Sequence, residues 1–199
     1  MRRRRHLIIF ARTARLGAVK TRLAASIGAG EAWRFHRRTM QLLIHCLAQN
    51  ERWQTWLALP GGQGATDRTL PFRLPIIDQG HGDIGRRMAR AFEALPPGPA
   101  VLVGVDIPAL RPHHIEAAFQ ALGQAEVVFG PASDGGYWLI GLSRSRRALD
   151  PFSGVRWSSP HTLQDSRATL PTDARIATIA TLDDIDDGAA YARWRLTRR

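Results

Sequence analysis

Apolar and polar residues alternate along the chain with two periods, one typical of strands and one typical of helices. Short apolar runs predict seven strands, at residues 6–10, 53–59, 72–77, 101–105, 127–129, 135–142 and 175–179. Apolar positions at helical spacing predict helices over 30–49, 84–95, 112–124 and 160–169, a short helix at 144–149, and a last helix that opens on the acids at 183–187. This succession predicts an α/β fold, with a mixed, mostly parallel sheet and helices on both sides.

The stretch from Val101 to Tyr137 predicts the centre of the sheet. Two apolar runs in it each lead into one carboxylate, Asp106 and Asp134, and an amphipathic helix separates them. In open α/β sheets, ligands bind outside the carboxyl ends of the strands. Both acids are therefore candidate site residues, although acids also commonly close turns.

The strand predicted at 135–142 follows its predecessor after too few residues for a crossover helix. Parallel strands need such a crossover, whereas antiparallel strands do not. We therefore expect this strand to run antiparallel or to lie apart from the main ladder.

The 199 residues, 44% of them hydrophobic, predict one domain over 1–199 with flexible basic tails at 1–5 and 196–199. The sequence has no run of 18 apolar residues, so no membrane span is expected. The apolar run behind the basic N-terminus is short and is interpreted as a strand, not as a targeting segment. The single cysteine, Cys46, excludes an intrachain disulfide and fits a reducing cytoplasm.

The net charge of +11 has three explanations. Because all but one of the 28 basic residues are arginine, the first is a composition bias with solvated tails. The second is a phosphorylated small-molecule ligand, and the third is a nucleic acid. The arginines are scattered, without the interleaved aromatic residues of single-strand binders, so no specific nucleic-acid partner is expected.

A cation-rich loop follows the first predicted strand and runs into a helix. It carries Arg12, Arg15, Gly17, Lys20 and Arg22. This composition is typical of a phosphate cradle, because backbone amides and cations both stabilise anions. Its spacing matches neither a Walker A loop nor GxGxxG. Lys20 is the only lysine in the chain, which hints that a compact ammonium is needed there.

A glycine-rich turn precedes the helix predicted at 84–95. Gln79, Gly80 and Asp83 lie where the strand gives way to the helix, and Asp83 is well placed as its N-cap. Gly80 permits either a tight turn or a close approach of the backbone to a ligand. On the helix predicted at 30–49, His36 is either a packing residue or part of a pocket wall, and the helical period favours packing.

Four acids in five residues, Asp183, Asp184, Asp186 and Asp187, exceed what helix capping requires. Carboxylates and phosphate oxygens are the ligands that Mg²⁺ takes in nucleotide sites, and Mn²⁺ suits the same oxygens. We therefore expect a metal-assisted transfer that involves a nucleotide phosphate. Asp106 would be the first metal ligand, and Asp186 or Asp184 the second.

Two other chemistries find no support in the sequence. The chain has no cysteine pair, and the adjacent His113 and His114 would point in different directions, which disfavours a soft-metal site. Ser133 lies in PASDG, which does not match the GxSxG elbow of a serine hydrolase.

Six segments together resemble a known family. They are FARTARLGAVKTRLAASIG, QGHGDIGRRMARAF, VGVDIPAL, GPASDGGYWLIGL, VRWSS and LDDIDD. In this order they are similar to small bacterial GT-A-type transferases with the nucleotide-diphospho-sugar transferase fold, which include glycosyltransferases linked to arsenosugar biosynthesis. The guanylyltransferase for 2-phospholactate has a related fold and a similar KTRLA-like opening. DGGYWLIGL is the most specific of these segments.

This resemblance implies roles for individual residues. The nucleotide phosphates would be surrounded by Arg12, Arg15, Gly17, Lys20 and Arg22, and the base would be contacted by Gln79 and Gly80. The cofactor Mg²⁺ or Mn²⁺ would be bound by Asp106 and Asp186. The acceptor or sugar pocket would be lined by Asp134, Gly135, Gly136, Tyr137 and Trp157. The catalytic residues would be Asp106, Asp134 and Lys20.

Three positions depart from the family pattern. Ala14 stands where the family has Pro, and Asp187 and Gly188 stand where it has Thr and Pro. These departures predict less rigid loops, and they leave the choice of the second metal ligand among the four late acids open.

Three functions are compatible with these features. The leading hypothesis is a metal-dependent glycosyltransferase that uses a nucleotide sugar and a small-molecule acceptor. The alternative enzyme is a nucleotidyltransferase that joins an NTP to a phosphorylated acceptor and releases pyrophosphate, which the cations of the first loop would suit. The third is a non-catalytic protein that binds nucleotides or nucleic acid.

Overall fold

The computed structural model describes residues 4–12, 20–61, 74–144 and 147–196. The strands in this part of the chain are β1 His6–Phe10, β2 Gln54–Leu59, β3 Ile76–Asp78, β4 Ala100–Val103, β5 Val127–Pro131, β6 Tyr137–Leu142 and β7 Ile176–Thr178. The helices are α1 Thr21–Ile27, α2 Ala29–Ala48, α3 Ile84–Glu93, α4 Pro112–Ala121, α5 Thr162–Ala168 and α6 Gly188–Leu196.

The strands form one sheet in the order β3-β2-β1-β4-β6-β5-β7. β6 pairs antiparallel with both β4 and β5. The other described pairs are parallel. The predicted mixed, mostly parallel sheet is therefore confirmed, and so is the antiparallel direction of the strand that lacks a crossover helix. That strand lies inside the ladder, between two strands that run the opposite way.

Helices cover both faces of the sheet, as the sequence predicts. α2 and α4 pack on one face, and α3 packs on the other. Leu7, Ile8 and Ile9 of β1 have no exposed surface, because a parallel strand in the middle of such a sheet is buried on both sides. None of the described helices is long and apolar enough to cross a membrane.

A smaller apolar cluster joins the beginning and the end of the chain. Leu23 of α1 and Phe35 of α2 pack against Ile185 and Tyr191. The rings of Phe35 and Tyr191 meet edge to face, with centroids 5.3 Å apart. This cluster fixes the segment before α6 beside α1.

The start of α3 follows its sequence signal. The Asp83 carboxylate accepts a hydrogen bond from the backbone N–H of Arg86, at 2.8 Å. An N-cap of this type satisfies one of the amides that a helix start leaves unpaired. The expected capping role of Asp83 is confirmed.

Two elements differ from the prediction. Residues 144 and 147–149 form no helix, and residues 145–146 lie outside the described part. Arg144 instead has a φ of 48° and donates to the carbonyls of Leu95 and Pro96. β6 begins at Tyr137 and not at 135, because Asp134 accepts from the N–H of Gly136 and holds a turn there.

The four late acids do not open a helix. α6 begins at Gly188, and of these acids only Asp187 acts as its cap, accepting from the N–H of Ala190 at 2.8 Å. The acids before it lie outside helices and strands, and the N–H of Ile185 among them bonds to the carbonyl of Asp106, at 3.1 Å. This bond brings the end of the chain to the end of β4.

Candidate active site

The candidate site lies at the carboxyl edge of the parallel strands. β1, β2 and β4 run in the same direction, so the residues that follow them meet at one edge. Asp106 follows β4, and the backbone bond from Ile185 adds the acidic segment to the same edge. This is the edge at which ligands bind in open α/β sheets.

Lys20 is the cation at the centre of this edge. Its side chain is 3% exposed, and its Nζ lies 3.2 Å from Asp106 and 3.1 Å from Asp186. The residue has a left-handed backbone, with φ 53° and ψ 48°, directly before α1. Such a conformation costs free energy in a residue with a side chain and is retained chiefly at functional sites. Three segments that are far apart in sequence therefore converge on one ammonium group.

Asp106 is held from two sides. Its carboxylate contacts Lys20 and also Nδ1 of His36, at 3.3 Å. Burial raises the pKa of Asp106, but the His36 hydrogen bond and the Lys20 charge outweigh burial and hold that pKa below its ordinary value. The side chain is still 38% exposed. Asp106 is therefore an ionised carboxylate of fixed orientation that a ligand can reach.

His36 was missed as a site residue. It lies on α2, where the helical period predicts packing, and its side chain is almost completely buried. Its Nδ1 nevertheless faces Asp106, while its buried Nε2 has no hydrogen-bond partner in the described part of the chain. His36 is buried, as a packing residue would be, and it also contacts and orients the Asp106 carboxylate at the end of β4.

Asp186 is the second carboxylate beside Lys20. It also lies 3.7 Å from Nη1 of Arg22, which is itself 76% exposed. Asp186 is half-exposed, so it has the access that a ligand-binding oxygen needs. Of the four late acids it is the one that forms an ion pair with Lys20, whereas Asp187 caps α6 and Asp183 is exposed.

Asp184 adds a further negative charge to the same region. Burial and then the charge of Asp134 raise the pKa of Asp184 to about 6, with smaller contributions from Asp186 and Asp106 and an opposing one from Lys20. The charges of Asp134, Asp186 and Asp106 thus disfavour the ionised form of Asp184, whereas Lys20 favours it. A cationic ligand would relieve this repulsion between the carboxylates.

Replacing Asp184 by Asn should flatten the dependence of stability on pH. In the native state Asp184 keeps its proton up to about pH 6, whereas the unfolded chain loses it near pH 4. The wild-type free energy of unfolding should therefore fall as pH rises through this window, because the native state binds more protons there. At pH 7 the Asn variant should be more stable by about 1–2 kcal/mol, after allowance for solvent screening.

Urea denaturation in EDTA from pH 4 to pH 7 measures this difference. The matched control is Asp183→Asn, which removes an exposed acid from the same segment. If the free energy of unfolding depends on pH with the same slope in both variants, Asp184 does not have the raised pKa.

The donors at this edge fit a hard divalent cation. Asp106, Asp134, Asp184 and Asp186 supply only oxygen atoms, and burial together with the charges of the other three raises the pKa of Asp184. Within the described ranges, no three His, Cys, Asp or Glu side chains are grouped closely enough to hold a metal by themselves. Mg²⁺ in nucleotide sites commonly uses one or two carboxylates and completes its shell with phosphate oxygens and water, so a ready-made cage is not required.

Two arginines lie near this edge: Arg12 follows β1, and Arg87 lies on α3. Arg87 lies over the ring of Phe10, 5.5 Å from its centroid, and donates to the side chain of Gln79. Burial lowers the pKa of Arg87, and the charge of Arg12 lowers it further. The buried Nε of Arg87 has no hydrogen-bond partner among the described residues. Arg87 is thus a second cation of this edge that the sequence did not indicate.

Gln79 and Gly80, predicted to contact the base, hold the strand ends together. The Gln79 amide is buried and donates to the carbonyls of Ala11 and Ala58, at 2.9 and 2.7 Å. Gly80 has a φ of 63°, and a Cβ there would lie 1.9 Å from Arg90. The turn geometry alone explains this glycine. Arg15 and Gly17, predicted in the phosphate loop, lie outside the described residues.

Of the residues predicted for the acceptor pocket, Asp134 is exposed, whereas Tyr137 and Trp157 pack against the core on the α3 face of the sheet. Asp134 is close enough to Asp184 to raise its pKa. Tyr137 turns its hydroxyl into the protein, toward Ser166 of α5, and burial raises the pKa of this hydroxyl. The ring of Tyr137 meets Trp157 edge to face, with centroids 6.5 Å apart. Trp157 lies against Gly85 of α3.

The sequence matches a family model over residues 43–159, more than half of the chain. The family is described as "Uncharacterized protein conserved in bacteria". The chain belongs to this family, DUF2064. No curated protein matches the sequence of this DUF2064 member.

Solved structures of transferases have the fold of this DUF2064 protein. A protein from Desulfovibrio desulfuricans G20 that is proposed to be a nucleotide-diphospho-sugar transferase is 25% identical, with a TM-score of 0.81 over 92% of this chain and 82% of the other. CMP:2-keto-3-deoxy-manno-octonic acid synthetase, solved with CTP, is 13% identical, with a TM-score of 0.62 over 98% of both chains.

A third structure is glucosyl-3-phosphoglycerate synthase from Mycobacterium tuberculosis, solved with Mn²⁺, UDP-glucose and phosphoglyceric acid. It is 10% identical, with a TM-score of 0.60 over 96% of this chain and 74% of the other. These likenesses give the DUF2064 chain a GT-A-like fold of the nucleotide-diphospho-sugar transferase superfamily and support the transferase class.

Proposed function

We propose that this protein is a metal-dependent glycosyltransferase that takes its sugar from a nucleotide sugar. The observation that carries the proposal is the ammonium of Lys20, which reaches Asp106 and Asp186 at 3.2 and 3.1 Å. A buried cation between two reachable carboxylates, at the carboxyl edge of the sheet, suits a site for a metal–diphosphate pair. The sequence resemblance and the fold also support the proposal of a nucleotide-sugar transferase.

In this proposal each charged group has a separate task. Lys20, Arg12 and Arg22 bind the phosphates together with the first loop, in which Arg15 and Gly17 are also expected to take part. Asp106 and Asp186 hold Mg²⁺ or Mn²⁺, and His36 keeps the Asp106 carboxylate in place. The bound cation would neutralise the diphosphate as it leaves. Asp134 faces the transferred sugar or its acceptor.

A second candidate function is nucleotidyl transfer, in which an NTP reacts with a phosphorylated acceptor and pyrophosphate leaves. The observation that favours it is the proximity of Arg12 and Arg87, two like charges that repel each other at the same edge. A triphosphate carries more negative charge than a nucleotide sugar and would offset both. Release of pyrophosphate from an NTP, against release of a nucleoside diphosphate from a nucleotide sugar, separates the two reactions.

A thermal-shift screen tests the common part of both candidates. Nucleotide sugars and NTPs are added with Mn²⁺ or with EDTA. A ligand at about 100 times its Kd should stabilise the fold by about 2.7 kcal/mol and raise Tm by about 5–10 °C, in Mn²⁺ only. If no nucleotide raises Tm in Mn²⁺, while generic DNA binds with a steep dependence on salt, the protein is a nucleic-acid binder and both candidates are wrong.

A further inference from the structure

A large cavity lies on the α3 face of the sheet, away from Lys20. It is bounded by α3 and by residues 142–144 and 147–157, and its volume is about 930 Å³. Sites for small molecules commonly have volumes of about 300–1,000 Å³. We refer to this cavity between α3 and residues 142–144 and 147–157 as the α3 groove.

The floor of the α3 groove is apolar and aromatic. The rings of Phe92 and Phe152 are stacked, with centroids 5.9 Å apart and planes 28° apart. Leu142 and Val155 lie beside them, 8% and 9% exposed. A flat apolar body fits such a floor, because it gains contact with ring faces and removes apolar surface from water.

The walls of the α3 groove are held by internal bonds. Arg144 donates to the carbonyls of Leu95, Pro96 and Gly98. Arg147 forms a two-point ion pair with Asp173, at 2.9 and 3.1 Å. Asp150 accepts from the backbone amides that follow it and closes the turn at 152–153. These three side chains already have partners within the protein, so the walls of the groove are formed before a ligand binds.

Two charges of the α3 groove are available. Arg86 and Glu93 both line it from α3, with Ala89 between them. Among the described residues, neither side chain has a hydrogen bond or an ion pair. Seven residues of helix separate them by about 10 Å. Arg86 lies beside the turn at Gly82, at the carboxyl edge of the sheet, and Glu93 lies at the opposite end. The Asp83 carboxylate at the Arg86 end is engaged as the cap of α3, so the Arg86 guanidinium is the group there that can bind an anion.

The Arg86 end of the α3 groove adjoins the candidate active site. Trp157 lines the groove there and meets the ring of Tyr137, which directly follows the turn of Asp134. The indole of Trp157 also lies on the first turn of α3, where a Cβ on Gly85 would approach it to 2.4 Å. The groove thus begins where the proposed acceptor side of the site ends.

We propose that the α3 groove binds the acceptor substrate, and that this acceptor is an elongated amphipathic molecule with a flat apolar body and one anionic group. The anionic group binds Arg86, the apolar body lies on Phe92 and Phe152, and the uncharged far end reaches Glu93. The acceptor role rests on the proposed transferase function. The chemistry of the ligand rests on the groove alone.

Two fluorescent probes test this chemistry. 8-Anilinonaphthalene-1-sulfonate has aromatic rings and one anionic group, and N-phenyl-1-naphthylamine has the same rings without the charge. Ala89→Trp fills the groove and should raise the Kd of both probes by tenfold or more. Arg86→Gln should raise the Kd of the sulfonate about five- to tenfold and leave that of the neutral probe within about twofold, because the lost contact is with a charge.

The controls carry the same changes elsewhere. Ala189→Trp places an indole on the exposed surface of α6, and Arg38→Gln removes an exposed charge from α2, on the other face of the sheet. Both should leave the two Kd values unchanged. If Ala89→Trp leaves the binding of both probes intact, they bind elsewhere and the inference is wrong. If Arg86→Gln affects both probes equally or neither, the anion is wrongly assigned. Should Ala89→Trp lower Tm, the Arg86→Gln result decides alone.

The same variants separate this inference from the proposed function. Ala89→Trp should retain the Tm increase caused by nucleotides in Mn²⁺, because the groove lies away from Lys20. If the wild type shows no response to nucleotides but binds the probes in the groove, the transferase proposal and the acceptor role fail together, while the binding site stands. If nucleotides bind and the probes do not respond to the groove variants, only the groove inference fails.

Discussion

Replacing Asp106 by Asn should abolish metal-dependent nucleotide binding and lower the transfer rate by at least about 100-fold. The carboxylate is the one group that faces Lys20 from the end of β4, and Asn cannot supply its charge. The fold should persist, because the bond that ties Ile185 to this position uses the backbone carbonyl of Asp106, not its side chain. The Tm increase in Mn²⁺ and the rate of nucleotide release are the two measurements.

The matched control for this experiment is again Asp183→Asn. It also exchanges a carboxylate for an amide, but at an exposed position of the acidic segment. It should retain both the Mn²⁺-dependent Tm increase and the rate. An Asp106→Asn protein that still responds to nucleotides only in Mn²⁺ would place the first metal ligand elsewhere.

Gly135→Ala should lower the free energy of unfolding by about 2–4 kcal/mol, combining a strained backbone with a steric clash. Gly135 has a φ of 87°, and a Cβ there would lie 2.1 Å from the carbonyl oxygen of Pro160. The obstacle is backbone and cannot rotate away. It is also tied to the same loop, because the N–H of Leu163 donates to the Gly135 carbonyl at 3.0 Å.

Gly154→Ala is the control that separates the two contributions. Gly154 has a similar φ of 74°, but nothing lies within 4 Å of a Cβ there. Its substitution should cost only the strain, about 1–2 kcal/mol. Urea denaturation of both variants gives the difference. If the two variants lose equal stability, the contact with Pro160 does not constrain Gly135, and a role in binding the acceptor becomes the better explanation of this glycine.

The sequence predicts the fold more completely than the site. Strands and helices follow from local period, and the direction of β6 follows from the short connection before it. The prediction of a helix at 144–149 was wrong. Arg144 donates to three carbonyls of a loop that is distant in sequence, and the local composition does not reveal these bonds. Contacts of this kind depend on the tertiary fold and leave no local pattern.

For the site, the sequence names acids and cations but not their partners. It singles out Lys20 as the only lysine, and the resemblance names Asp106 and Asp186, the two carboxylates that meet that lysine. It misses His36, because a buried histidine on a helix has the same periodicity whether it packs or orients a carboxylate. The sequence also gives no means to tell Asp184 from Asp187. In the structure, burial and neighbouring charges raise the pKa of Asp184, whereas Asp187 caps α6.

The ion pair between Lys20 and Asp186 joins residues 166 positions apart in the chain. The ribosome synthesises Lys20 166 residues before Asp186. Domains generally fold as units, and contacts between distant segments form only when both segments are present. A growing or partly folded chain therefore lacks the carboxylate that completes the site. Under the proposed function, nucleotide binding requires both segments to be in place, so a nucleotide-binding assay would report correct folding directly.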